Sequence, residues 1–139
     1  MSRIAIIGAG AWGTGLAIVL GRNETHHGRH GVRHNVRLWA NEPEVTESIA
    51  SNRINERFLP GFILPESIAA TSDLNTALDA AEIVVSVMPS QHCRALFKRM
   101  AELLAKSPGL RREDLLVNLV EVSWENWSFG NGEAQYQKD

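Results

Sequence analysis

The sequence is poor in cysteine, in aromatic side chains, in any surplus of one charge and in long apolar runs. Cys93 is the single cysteine, so no intrachain disulfide can form, which fits a reducing compartment. Lys and Arg number 14 against 16 Asp and Glu, a formal net charge of -2. That balance lacks the basic surplus that a nucleic-acid or membrane-surface partner demands. The apolar run Ile4 to Ile7 ends at Gly8, far too short for a secretory segment or a membrane span, so the chain reads as cytoplasmic without membrane insertion. What is present suffices for a core. At 139 residues and 44% hydrophobic content the chain is one domain's worth of protein.

Ile4-Ala5-Ile6-Ile7 has the unbroken apolar character of a central parallel strand buried on both faces. Gly8-Ala9-Gly10-Ala11-Trp12-Gly13 breaks it, and a helix is expected from about Ala11 to Arg22. A strand over 35–40 follows, then a helix opened by Glu42-Pro43-Glu44, where proline and acidic residues suit a first turn, fading near Ser51. Asn55 to Pro65 reads as irregular, with a turn at Pro60-Gly61. Ile68 to Thr71 is a weak strand, and Ser72 or Asp73 caps a helix running to Ala81. Glu82 to Met88 reads as another buried strand, halted by Pro89. The i, i+3, i+4 spacing of Cys93, Leu96, Phe97, Met100, Leu103 and Leu104 predicts a helix over about 92–106, and Leu115 to Val117 begins one more strand. Strand and helix alternate throughout, so the fold class is α/β, a doubly wound parallel sheet of Rossmann type. The domain division expected is 1–117 for this unit and 118–139 for a polar, aperiodic, poorly ordered tail.

The chemistry is carried by the glycines. G-x-G-x-x-G directly after a buried strand and at the start of a helix is the dinucleotide fingerprint. Gly8 permits a tight turn, Gly10 lets the backbone approach a pyrophosphate, and Gly13 lets helix and strand pack closely. The fingerprint also asks for an acid after the second strand. Glu42 is the candidate, with Asn41 beside it, roughly 29 residues beyond Gly13 against the usual ~20. Glu42 equally suits a first-turn acid with no ligand, and the residues alone do not choose. The excess length lies in Asn23 to His34, where His26, His27, His30 and His34 read as a solvated loop rather than a metal site. No arginine stands at Asn41 or Glu42, which favours NAD and leaves NADP possible. Pro89 ends a strand at the ligand-bearing edge of such a sheet, as a cofactor contact or a mere strand stop. Cys93 reads as a small core-facing residue.

Taken together, Gly8-Ala9-Gly10-Ala11-Trp12-Gly13-Thr14, Val36-Arg37-Leu38-Trp39-Ala40, Asn55-Glu56-Arg57-Phe58-Leu59-Pro60-Gly61, Leu64-Pro65 and Val87-Met88-Pro89-Ser90 resemble the bacterial NAD(P)-dependent glycerol-3-phosphate dehydrogenases. The resemblance runs from about Ile4 to Val117. It implies an oxidoreductase that interconverts dihydroxyacetone phosphate and glycerol 3-phosphate for phospholipid synthesis. It also places Ala11 and Trp12 at the pyrophosphate loop, Asn41 and Glu42 at the cofactor ribose, Phe58 at an aromatic cofactor position and Pro89 beside the nicotinamide. Beyond Val117 the pattern departs. Where the family has a Ser-Ala-Thr-Lys-Gly type segment this chain has Asn118-Leu119-Val120-Glu121-Val122, and Glu121 would repel a phosphate. The helical substrate domain implied by the resemblance is not found in this sequence, so the expectation is a cofactor-binding unit inactive alone, with no catalytic residue and no metal. A non-catalytic nucleotide-binding module, or one part of a split enzyme or assembly, is the alternative, and a homo-oligomer is possible.

Overall fold

The computed structural model describes residues 2–22 and 34–114. The elements are β1 (Arg3–Ile7), α1 (Ala11–Gly21), β2 (Asn35–Trp39), α2 (Pro43–Asn52), β3 (Ile54–Asn55), β4 (Leu59–Ile63), β5 (Ile68–Thr71), α3 (Leu74–Leu78), β6 (Ile83–Ser86) and α4 (Ser90–Lys106). A short 3-10 turn follows at Arg112–Asp114. Four strands form one parallel sheet in the order β5-β2-β1-β6, and β3 and β4 form a separate antiparallel pair.

Side chains alternate across β1, and each face meets its own helices. Ile4 and Ile6 point with Val36 and Leu38 toward Ala17 and Ile18 of α1 and Val45 and Ile49 of α2. Ala5 and Ile7 point the other way, toward Leu74 and Leu78 of α3, Leu96 and Met100 of α4, and the Trp39 ring. Each buried Ile or Leu contributes roughly 1.5–3 kcal/mol. The apolar run that predicts a strand buried on both faces is therefore the centre of a helix–sheet–helix sandwich. Because β1 has β2 on one side and β6 on the other, the winding reverses at β1, and a crevice opens beyond its carboxyl end.

Several expected boundaries shift for identifiable reasons. The segment expected to be irregular contains the β3–β4 pair, and Pro60 is accommodated within β4. The helix expected to reach Ala81 stops at Leu78, because Asp79 leaves helical geometry and Ala80 turns left-handed at φ 54°. β2 ends at Trp39, one residue before the expected Ala40, and α4 begins at Ser90, two residues before His92. The strand read as 82–88 and buried is Ile83–Ser86, and none of its residues is buried. Among the described residues only β1 borders it, so Ile83 is 48% exposed and Val84 37%. The expected strand at Leu115 to Val117, the tail 118–139, and His26, His27 and His30 lie outside the described residues.

Candidate functional site

The glycine loop is held in shape by its own lack of side chains. Gly8 has φ +123°, a conformation that favours glycine, and a β-carbon there would overlap the carbonyl oxygen of Val87. A β-carbon on Gly13 would overlap the carbonyl oxygen of Gly8, so α1 can approach the strand end only with glycine at this point. Gly10 differs from both. It is the N-cap of α1 with φ -67°, and a β-carbon there would meet nothing within 4 Å. No side chain caps α1 and no acid lies in its first turn, so the positive end of the helix is left open beside Gly10.

A buried polar knot fixes the loop from behind. Asn55 is fully buried, and its Nδ2 donates to the Ala9 carbonyl and to Thr14 Oγ1, both at 2.8 Å. Its Oδ1 accepts from the Phe58 backbone N–H at 3.1 Å. Thr14, also fully buried, donates its hydroxyl to Ala9 O at 3.3 Å. One side chain thus ties the start of α1 to the β3–β4 turn and sets the height of Phe58. Arg57 lies over the Phe58 ring, 5.1 Å from its centroid, and pairs with Glu44 of α2.

In front of the loop lies a cleft of about 400 Å³, a volume typical of ligand sites. The expected residues Gly8, Gly10, Asn41, Glu42, Phe58 and Pro89 all line it. Gly13 is buried behind the loop, while Ala11 and the 80%-exposed Trp12 sit on the first turn of α1, outside the lining. Trp39 closes one wall, its indole N–H donating to Ser72 O at 3.1 Å. Cys93 faces inward as expected, and its thiol donates to Pro89 O at 3.7 Å, tying that proline to the first turn of α4.

Sequence reasoning missed one wall of this cleft. His92, Ala95, Leu96 and Arg99 of α4 line it, a face spaced at i, i+3, i+4 and i+7. The sequence pattern marks Leu96 as core and gives the polar pair no role. The signal available was the spacing of His92 and Arg99, two turns apart on the helix that leaves the β6 loop. Asn55 was quoted only as part of a motif, and nothing local foretells partners more than forty positions away. No group of three metal-ligating side chains occurs among the described residues, and His34 Nδ1 accepts from the Ser2 backbone N–H at 3.3 Å.

Comparison with known proteins bears on this geometry. The sequence profile described as "NAD-dependent glycerol-3-phosphate dehydrogenase N-terminus" matches residues 3–114. A glycerol-3-phosphate dehydrogenase (NAD(P)+) of Koribacter versatilis is 57% identical over 100 residues, which is 72% of this chain and 27% of that protein. Its counterpart from Halorhodospira halophila is 46% identical over 100 residues, with the same two coverages. Among solved structures, glycerol-3-phosphate dehydrogenase from Coxiella burnetii superposes with a TM-score of 0.62 at 35% identity, covering 73% of this chain and 29% of that one. The Plasmodium falciparum enzyme gives 0.62 at 27% identity, covering 73% and 28%. The match thus spans little more than a quarter of the length of the curated relatives.

Proposed function

Since the chain belongs to the NAD-dependent glycerol-3-phosphate dehydrogenase family as its N-terminal domain, we propose that its cleft holds NAD(P) in an extended pose across the carboxyl ends of β1, β2 and β6. The observation that carries this reading is the pairing of an open cradle at Gly10 with the uncapped start of α1. A pyrophosphate seated there meets backbone N–H groups and the positive helix end with no β-carbon in the way. Asn41 and Glu42 then face the adenosine ribose, Glu42 accepting from its hydroxyls. Phe58 presents a ring held by Asn55, and Pro89 borders the nicotinamide side. Residues 1–117 are the dinucleotide-binding unit in this proposal.

Bound in this cleft, NAD(P)H supplies the hydride that converts a carbonyl to an alcohol. The chain's own part is to bind and orient: the glycine loop fixes the phosphates, while the apolar wall of Trp39, Leu96, Val87 and Met88 keeps water from the cleft. The reaction served is interconversion of dihydroxyacetone phosphate and glycerol 3-phosphate in the cytoplasm, with the substrate's own contacts supplied by the rest of such an enzyme. Support for a bacterial-type activity comes from the relatives' names. No helix among the described residues is long and apolar enough to cross a membrane. The exposed side chains of β6, the last strand of the sheet among the described residues, support association, either with another copy or with a separately supplied substrate domain, which is the split-enzyme reading.

Titration of the purified chain with NADH, read by fluorescence, tests the proposal beside an assay of dihydroxyacetone phosphate reduction. Saturable binding without turnover is the expected result. A folded chain that binds no dinucleotide overturns the reading, and turnover by the chain alone overturns its restriction to binding and orientation.

A further inference from the structure

The dinucleotide reading leaves the polar residues of the α4 wall without a role. Of the lining residues, Arg99 is the only Lys or Arg, and it projects from the third turn of α4. It makes no hydrogen bond or ion pair among the described residues, and neither does the Glu42 side chain elsewhere in the lining. Several arginines on other elements are engaged instead. Arg57 is paired with Glu44, and Arg37 with Asp79. Arg53 donates to the carbonyls of Leu64, Pro65 and Ile68. Arg99 is therefore the lining guanidinium left with its donors unspent. A planar fork of N–H donors matches phosphate oxygens and needs no change of helix geometry to reach them.

Resting on the dinucleotide reading, we propose that Arg99 is a phosphate-recognising residue of the cleft, set on α4 in the same cavity as the Glu42 carboxylate. The two side chains act in opposition on the ligand. Glu42 accepts ribose hydroxyls and repels a phosphate placed on them, while Arg99 attracts phosphate wherever its fork reaches. The cation that meets a cofactor phosphate in this cleft then stands on α4, since none stands at Asn41 or Glu42 after β2. His92 lines the same helical face two turns earlier, beside Pro89, and adds a second donor toward the other end of the cleft. Ala95 between them keeps the face low enough for a ligand to reach both.

The test compares the wild-type chain with Arg99→Ala and Arg99→Lys, titrated with NADH, NADPH and adenosine. Arg99 is exposed, so both variants should melt at the wild-type temperature. Arg99→Ala is expected to weaken dinucleotide binding by about tenfold to a hundredfold, the usual worth of a charge-assisted hydrogen bond. Arg99→Lys should restore part of the loss, and adenosine, which carries no phosphate, should bind all three chains alike. Equal losses for NADH and NADPH place the contact at the pyrophosphate, and a larger loss for NADPH places it at the 2′-phosphate. Unchanged dinucleotide affinity in Arg99→Ala, or an equal loss for adenosine, overturns the proposal while leaving the dinucleotide reading intact. A wild-type chain that binds neither dinucleotide overturns both.

Discussion

Gly13 and Gly10 stand three residues apart, and a methyl group would meet quite different surroundings at each. At Gly13 it would strike the Gly8 carbonyl, a backbone atom that cannot rotate away. Gly13→Ala should therefore destabilise the fold by about 3 kcal/mol or more, visible in chemical denaturation whether or not ligand is present. Asn55 is a second residue whose loss should be felt in the fold. Replacing it by Ala removes three hydrogen bonds and strands the Phe58 N–H within the site, at an expected cost of about 2–4 kcal/mol by denaturation. Dinucleotide affinity should fall as well, because Asn55 sets both the loop and the Phe58 turn. Neither its burial nor its partners can be read locally. An Asn before a turn promises an Asx contact, as found with Phe58, but its bonds to Ala9 and Thr14 close over more than forty residues. The roles of Gly8 and Gly13 were legible, since the strand–loop–helix context dictates them.

Among the elements, α3 shows how a short helix is held. Asp73 caps it, accepting from the Thr76 hydroxyl at 2.5 Å, the Thr76 N–H at 3.0 Å and the Asn75 N–H at 3.3 Å. The Thr76 hydroxyl, then its backbone N–H and that of Asn75, hold the Asp73 carboxyl below the usual carboxylate range. A depressed folded value means that the unfolded chain binds the proton more readily. The cap's contribution is thus complete above the ordinary carboxylate pKa and is lost as pH falls through the lowered one. The stability difference between wild type and Asp73→Ala should shrink over that acidic window and stay constant above it, as measured by melting at a series of pH values. The cap was legible because Ser72-Asp73 precedes an apolar helix start. The β3–β4 pair was not, because Pro60 and Gly61 are breakers in most contexts and β3 is only two residues long. The cleft-lining face of α4 was hidden by its apolar stripe. Cys93, Leu96 and Met100 announce the core side, and that pattern says nothing of the neighbouring His92 and Arg99.

At the scale of the whole molecule, helices cover both faces of the sheet, and β6 is its last strand among the described residues. The doubly wound class came from the alternation of strands and helices along the chain. The alternation of Ile4 and Ile6 with Ala5 and Ile7 fills two cores, which is why a strand buried on both faces could be read from one four-residue run. Edge position could not, since it depends on which strands border β6 rather than on the character of Ile83 to Ser86. With Ile83 and Val84 exposed on a strand that only β1 borders among the described residues, the chain is expected to self-associate as its concentration rises. Sedimentation velocity should show that trend, and Ile83→Lys should reduce it without lowering the affinity for NADH. The cleft lies at the neighbouring carboxyl ends of the strands, so its function survives a change on the edge.

The central claim is that the open space at Gly10 is where the dinucleotide's phosphates sit. NADH titration of Gly10→Ala beside Gly15→Ala tests it most directly, because a β-carbon meets nothing within 4 Å at either position and both chains should fold. Gly15 lies within α1, where alanine is the better helix former, and this variant should bind as wild type does. Gly10→Ala should keep the wild-type melting temperature in the absence of ligand and lose NADH affinity by roughly tenfold or more, a change of ~1.4 kcal/mol or greater. A Gly10→Ala chain that binds NADH as tightly as wild type would contradict the account.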